Sequence, residues 1–222
     1  MLQAGGYRFF ATSVQEANVH MPIRAVIFDL DGTITQPYLD FDAIRREIGL
    51  GEDGGPVLEA MEKMPPQQRR RTEEILHYHE EKALAASQLN EGAEETLACL
   101  RDRGIHVGVL TRNRKCNAQA IAEKHGLYFD AVVGREDGPV KPDAFGVRHL
   151  CRHFGVEPAE TLLVGDYLYD MLCARAAGAV GVLIVNHGKA GTFAEHADFT
   201  IEKLSEILRI IDEKNDAERA AS

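Results

Sequence analysis

The sequence lacks the features of a membrane protein, a secreted protein or a nonspecific nucleic-acid-binding protein. No apolar run approaches the length that spans a bilayer, and residues 1–20 have no apolar centre of a secretory signal. The net charge is −10, and no long basic stripe is present. Nonspecific nucleic-acid binding needs clustered lysine and arginine, so we expect neither a nucleic acid nor a membrane as a partner.

Cysteine is scarce, and the four cysteines form no C-x-x-C pair and match no zinc-binding spacing. They favour a reduced, cytoplasmic setting in which the thiols are small core residues. We interpret residues 1–20 as a flexible extension, and a transit peptide there stays open as an alternative. The sequence also has no G-x-x-x-x-G-K-S/T loop, which excludes a P-loop nucleotide enzyme.

The apolar residues make up 45% of the chain and fall into short runs that alternate with helical patterns. We predict strands at residues 25–28, 105–110, 131–133, 161–164, 180–185 and 199–201. From the second strand on, single helices separate the strands, with Asn113 and Asp143 as predicted helix caps. This rhythm predicts right-handed crossovers and an α/β fold with a doubly wound, Rossmann-like parallel sheet.

The residues between the first two strands carry helical patterns and no strand pattern. We predict short helices near 42–48 and 56–64, the first with Asp42 near its cap, and a longer helix from Pro65-Pro66 to about Leu89. We therefore predict an α/β core domain of residues 21–36 and 90–213, a small inserted all-helical cap of residues 37–89, and a frayed tail at 214–222.

Polar residues follow the predicted strands where each strand ends. They are Asp29, Asp31, Thr111, Asp166 and Asp170, with Lys141 on the loop after the third strand. Because the carboxyl ends of parallel strands share one edge of the sheet, we expect these side chains to converge. A divalent cation would offset the repulsion among the acids, and oxygen ligands suit Mg²⁺. An aspartate nucleophile beside a metal, a cation and a hydroxyl is suited to phosphoryl transfer.

Four segments, in order, resemble the motifs of the haloacid dehalogenase superfamily. They are Asp29-Leu30-Asp31-Gly32-Thr33, Thr111 after an apolar strand, Lys141-Pro142, and the segment from Gly165-Asp166 to Tyr169-Asp170. Together they cover about residues 23–205, and four motifs in register are specific where one alone is weak. The chain resembles the phosphatase branch of this superfamily, the phosphoglycolate phosphatase-like group with a small helical cap.

The resemblance implies a role for each matching residue. Asp29 would attack phosphorus, and Asp31 would protonate the leaving alcohol and then activate water. Thr111 and Lys141 would bind the phosphoryl oxygens, and Lys141 would also steady the Asp29 carboxylate. Arg112 is a further candidate for phosphate binding, although its side chain could equally lie along the following helix.

The resemblance also implies the metal site and the reaction. Asp29, the backbone carbonyl of Asp31, and Asp166 would hold Mg²⁺, with Asp170 as a further acid that ligates through water. The implied activity is hydrolysis of a small phosphorylated metabolite through an aspartyl-phosphate. Asp31 argues against dehalogenation, because a dehalogenase has no alkoxide to protonate.

Two alternatives stay open. A sugar phosphomutase shares all four motifs, and a non-catalytic phosphate-binding regulatory protein could keep the fold without turnover. The chain also departs from the family pattern: the third motif often continues with a second proline, whereas here the run is Lys141-Pro142-Asp143-Ala144, and the insertion is short for this cap type. We interpret Arg69-Arg70-Arg71 as a solvated helix face and Asn186-His187-Gly188 as a structural loop.

Overall fold

The computed structural model describes residues 21–51 and 54–221, so the predicted extension at 1–20 lies outside the described residues. Its centre is a six-stranded sheet in which every pairing is parallel. The strands are β1 (Ala25–Phe28), β2 (His106–Leu110), β3 (Ala131–Val133), β4 (Thr161–Gly165), β5 (Val180–Ile184) and β6 (Phe199–Ile201). Their order across the sheet is β3-β2-β1-β4-β5-β6, which confirms the predicted doubly wound α/β fold.

Three helices are inserted between β1 and β2: α1 (Phe41–Glu47), α2 (Val57–Glu62) and α3 (Pro66–Ala86). They enclose a small apolar cluster of their own, built from Ile44, Ile48, Val57, Met61 and Leu76. Pro66 lies in the first turn of α3, where its missing N–H costs no helical hydrogen bond. The insertion is therefore all-helical and has its own apolar centre.

Five further helices cover the two faces of the sheet: α4 (Ala93–Asp102), α5 (Lys115–His125), α6 (Phe145–Phe154), α7 (Leu168–Ala177) and α8 (Ile207–Ala221). Successive side chains of a strand point to opposite faces, so Val26 and Phe28 pack with α4, α5 and α8. Ala25 and Ile27 pack with α6 and α7 on the other face. All four residues of β1 are buried, as expected for a central strand covered on both sides.

Some predicted element ends differ from the structure. Helix α1 is capped by Asp40 rather than Asp42, because the Asp40 carboxylate accepts hydrogen bonds from the backbone N–H groups of Asp42 and Ala43. Helix α3 ends at Ala86, before the predicted Leu89, and Leu89 instead forms a bridge with Thr35. Helix α8 extends to Ala221, and fraying of the tail at 214–222 stays a prediction.

The topology places a ligand site at the carboxyl end of β1. The chain leaves β1 for β2 on one side and later returns to β4 on the other, and such a switch opens a crevice beyond the strand ends. The backbone N–H of Asp29 donates to the carbonyl of Val164 at 2.8 Å, which holds the first residue after β1 against the end of β4. Within the described ranges, no helix has the length and apolar character needed to cross a membrane.

Candidate active site

Lys141 lies between two carboxylates at the carboxyl edge of the sheet. Its Nζ is 2.5 Å from Oδ1 of Asp29 and 2.7 Å from Oδ1 of Asp170, and its side chain is only 3% exposed. Burial alone would lower the pKa of Lys141, but Asp170 and Asp29 outweigh it and raise that pKa above its usual value. Lys141 is therefore a permanent cation that holds residues following β1, β3 and β4 in contact.

Three buried carboxylates form a group of the kind that holds a metal ion. Asp29, Asp166 and Asp170 each offer an oxygen, and these oxygens lie within 4.8 Å of one another. Burial, reinforced by the charge of Asp29, raises the pKa of Asp166, and burial raises the pKa of Asp170 although Lys141 opposes it. One lysine does not neutralise three acids, so this group favours a further cation.

Two glycines leave the space that these acids occupy. A Cβ on Gly32 would lie 2.2 Å from Oδ2 of Asp166, and Gly32 also has a φ of +92°, which favours glycine. A Cβ on Gly165 would lie 2.1 Å from Cγ of Asp170. The missing side chains of these two glycines therefore leave room for the carboxylates of Asp166 and Asp170. The carboxylate oxygens are hard donors, which fit Mg²⁺.

Asp31 lies two residues after Asp29 and meets an amide from the neighbouring strand end. The Nδ2 of Asn113 donates to Oδ2 of Asp31 at 3.1 Å. Desolvation, with a contribution from the charge of Asp29, raises the pKa of Asp31 to about 7. A carboxyl group that titrates near neutral pH is suited to both donating and accepting a proton.

Thr111 is buried directly after β2 and is joined to this group through Asn113. Its Oγ accepts the backbone N–H of Asn113 at 2.9 Å, and its own N–H donates to the carbonyl of Val133 at 3.0 Å. Because the hydroxyl oxygen acts as an acceptor here, its hydrogen can be offered to an anion. We predicted Asn113 as the cap of α5, but Arg114 occupies that position and the Asn113 side chain turns toward Asp31 instead.

Arg112 is paired with the inserted helices. Its Nη2 lies 2.8 Å and 2.7 Å from the two carboxylate oxygens of Glu59 on α2, and its guanidinium lies over the ring of Tyr169 at 4.9 Å. It also donates to the backbone carbonyl of Lys141. Phosphate binding by Arg112 stays a prediction, since its guanidinium is engaged here by a carboxylate of the insertion.

Several polar residues that we did not assign to the site contact it. The amide of Asn90 donates to the carbonyls of Gly32 and Thr33 at 3.1 Å and 2.7 Å, and the amide of Asn186 donates to Gly32 at 2.6 Å. The Nε2 of His187 is 3.3 Å from Oδ2 of Asp166. Asn186 and His187 follow β5. The expectation that polar residues after a strand lie at the shared edge of the sheet, which identified Asp29, could therefore have identified them as well. Asn90 lies before a helix and carried no such signal.

The comparisons agree with the fold and the motifs. A family model described as haloacid dehalogenase-like hydrolase matches residues 23–178. A haloacid dehalogenase-like hydrolase domain-containing protein of Arabidopsis thaliana is 29% identical over 212 residues, covering 88% of this chain and 86% of the relative. A phosphoglycolate phosphatase of Cupriavidus necator is 30% identical over 201 residues, which cover 79% of this chain and 86% of the relative. The crystal structure of a hydrolase from Pseudomonas syringae shares the fold, with a TM-score of 0.73 and 22% sequence identity. The match covers 86% of this chain and 98% of that protein.

Replacing Gly32 should abolish metal binding. In Gly32→Ala the new Cβ would displace the Asp166 carboxylate, and we expect no Mg²⁺-dependent rise in melting temperature. The matched control is Gly49→Ala, because Gly49 has a similar φ of +76° but nothing lies within 4 Å of its Cβ. Both variants bear a backbone cost of about 1–2 kcal/mol, so only Gly32→Ala should lose the Mg²⁺ response. An equal Mg²⁺ response in the two variants would contradict this reading of Gly32.

The stabilisation by Mg²⁺ should increase with pH. Because the pKa values of Asp166 and Asp170 are raised, the folded metal-free protein holds protons that the unfolded chain has already released. Its stability should therefore fall as the pH rises from about 4 toward neutrality, and ionised carboxylates should then bind Mg²⁺ more tightly. Melting curves at fixed Mg²⁺ should show a larger shift at about pH 8 than at about pH 6. A shift that is constant or that shrinks would be evidence against this carboxylate site.

Proposed function

This chain belongs to the haloacid dehalogenase-like hydrolase family, and from that membership and the geometry of its strand ends we propose that it is a Mg²⁺-dependent phosphatase. It would hydrolyse a small organic phosphomonoester through an aspartyl-phosphate on Asp29. The observation that carries this proposal is the buried Lys141, which contacts Asp29 and Asp170 while Asp31 follows two residues later. A nucleophile, a cation and a proton donor are thus close together at one strand end.

In the first half-reaction a carboxylate oxygen of Asp29 attacks phosphorus. The bond between phosphorus and the ester oxygen breaks, and that oxygen takes the proton of Asp31 as the alcohol leaves. The desolvated carboxyl of Asp31, whose pKa is raised to about 7, retains a proton for this step near neutral pH. The products are the alcohol and an aspartyl-phosphate, with Asp31 now ionised.

In the second half-reaction the ionised Asp31 accepts a proton from water. The water oxygen attacks phosphorus, the bond between phosphorus and Asp29 breaks, and inorganic phosphate leaves. Asp31 thereby regains its proton and Asp29 its carboxylate, so the cycle closes without another reactant. One residue can serve both steps because the acid of the first is the base of the second.

The phosphoryl oxygens would be bound by the hydroxyl of Thr111 and by Lys141. Asp29, Asp166 and the backbone carbonyl of Asp31 would hold Mg²⁺, with Asp170 acting through water. When bound, Mg²⁺ supplies positive charge against the phosphoryl oxygens. Lys141 adds a fixed charge in a desolvated position, where it interacts more strongly than it would in water.

The inserted helices α1–α3 are proposed to act as a cap that limits the size of the substrate. Helix α2 reaches the strand-end residues through the pair of Glu59 and Arg112. The relative from Cupriavidus necator is named for phosphoglycolate, which makes that small ester the first natural compound to test. A cytoplasmic location is proposed with this function.

Replacing the nucleophile should remove the activity. Asp29→Asn should lower the hydrolysis of p-nitrophenyl phosphate in the presence of Mg²⁺ by about a thousandfold or more, because the amide cannot attack phosphorus. The matched control is Asp102→Asn, the same change on an exposed residue at the end of α4, which should keep wild-type activity. EDTA should abolish the activity of the wild-type protein.

The same assay separates the alternatives. Undiminished turnover in Asp29→Asn would refute the aspartyl-phosphate mechanism. Phosphate release from none of a panel of phosphomonoesters, with Mg²⁺ binding intact, would favour a non-catalytic binding protein. Sugar phosphates that are isomerised rather than hydrolysed would identify a phosphomutase.

A further inference from the structure

Glu80 is a buried carboxylate on the inserted helix α3, and it faces charged groups of the core. Its side chain is 3% exposed. Arg135 contacts both of its oxygens, one of them at 3.2 Å, and the Nε of Arg114 lies 3.5 Å from Oε2. Two arginines around one desolvated carboxylate fix this part of α3 against the start of α5, which carries Arg114, and against the loop after β3, which carries Arg135.

A chain of amides leads from Glu80 to Asp31. The Nδ2 of Asn117 lies 3.4 Å from Oε2 of Glu80 and 2.8 Å from Oδ1 of Asn113. The Nδ2 of Asn113 then donates to Oδ2 of Asp31 at 3.1 Å. Both asparagines are buried, and Arg114 also donates to Oδ1 of Asn117 at 3.3 Å. The chain joins the inserted helix to Asp31, three residues beyond the end of β1.

These hydrogen bonds determine which way each amide faces. The Oδ1 of Asn113 accepts from Asn117 and from the backbone N–H of Arg114 at 2.7 Å, so its NH₂ group must point to Asp31. An N–H directed at Oδ2 of Asp31 disfavours a proton on that oxygen. Oδ1 of Asp31 accepts no hydrogen bond from a side chain of residues 21–51 and 54–216, so it is the oxygen left to carry a proton when Asp31 acts as an acid.

We propose that Asn113 is a positioning residue for proton transfer by Asp31, and that Asn117 and Glu80 extend this support to helix α3. The proposal rests on the proposed function, because it assumes that Asp31 protonates the leaving alcohol. Asn113 holds one oxygen of Asp31 and leaves the other to carry the proton to the ester oxygen. Glu80 makes that geometry depend on the docking of the inserted helix.

A role in proton transfer differs from a purely structural role in its dependence on the leaving group. p-Nitrophenyl phosphate and p-tolyl phosphate are similar in size, but p-nitrophenolate departs readily without a proton and p-cresolate does not. If the proton donor is no longer oriented, hydrolysis of p-tolyl phosphate should therefore slow more than hydrolysis of p-nitrophenyl phosphate. A purely structural defect should slow both esters alike. The value of kcat/KM is compared, because it includes the departure of the first product and excludes the later hydrolysis of the aspartyl-phosphate.

The experiment measures kcat/KM for both esters in wild type and in Asn113→Ala. We expect the ratio of the p-nitrophenyl to the p-tolyl value to rise by about tenfold in the variant, a part of the range of about 10² to 10⁴ that a positioned acid contributes. The control is Asn215→Ala, because Asn215 holds the backbone N–H of Ile23 at 2.7 Å at the opposite end of β1. That variant should leave the ratio unchanged, and melting curves verify that each variant is folded.

Asn117→Ala tests the next hydrogen bond of the chain, from Asn117 to Asn113. It also replaces Asn113→Ala as the main test if that variant does not fold. It should raise the ratio by a smaller factor, and it should add nothing in the Asn113→Ala background if Asn117 acts through Asn113. Glu80→Gln should likewise raise the ratio, because the amide no longer holds Arg114 and Arg135 by charge.

The outcomes separate this proposal from the proposed function. An unchanged ratio in folded Asn113→Ala, or in folded Asn117→Ala where the first variant does not fold, would overturn the positioning role while leaving the phosphatase intact. Full activity of Asp29→Asn in the same assays would instead overturn the mechanism on which the inference rests.

Discussion

The ion pairs of Lys141 with Asp29 and Asp170 are the interaction on which the strand-end site depends. The ammonium group is buried, so water cannot screen it, and it has two carboxylates within 2.7 Å. Breaking a buried charge pair by removing one partner typically costs about 3–5 kcal/mol. Lys141 therefore lets two acids lie side by side after adjacent strands, but it does not neutralise all three carboxylates, so the group still favours a divalent cation.

The inserted helices are tied to the core by charge as well as by chain connection. Glu59 of α2 pairs with Arg112 and Glu80 of α3 pairs with Arg114 and Arg135, so the contacted arginines all belong to the core. Arg112 and Arg114 come within three residues of Thr111, in the segment that also carries Asn113. A movement of the inserted helices would therefore displace the groups that are proposed to bind phosphate and to orient Asp31.

The fold was predictable because buried parallel strands are continuous apolar runs, as in residues 25–28, and because helices alternate with them. The convergence of Asp29, Asp166 and Asp170 followed from the same rule, since all three come after a strand. Their chemical roles stay predictions. Asn113 was misread because asparagine after a strand is also a common helix cap, and only the three-dimensional path shows its amide facing Asp31. Glu80 was not recognisable, because a glutamate within a charged helix resembles any solvated one.

The most direct test of the account is to trap the covalent intermediate. The protein is mixed with p-nitrophenyl phosphate and Mg²⁺, quenched with acid within a turnover, digested and examined by mass spectrometry. We expect a phosphoryl group on the peptide that contains Asp29, located on that residue by fragmentation. Turnover without any covalent phosphate, or with phosphate on another residue, would contradict it.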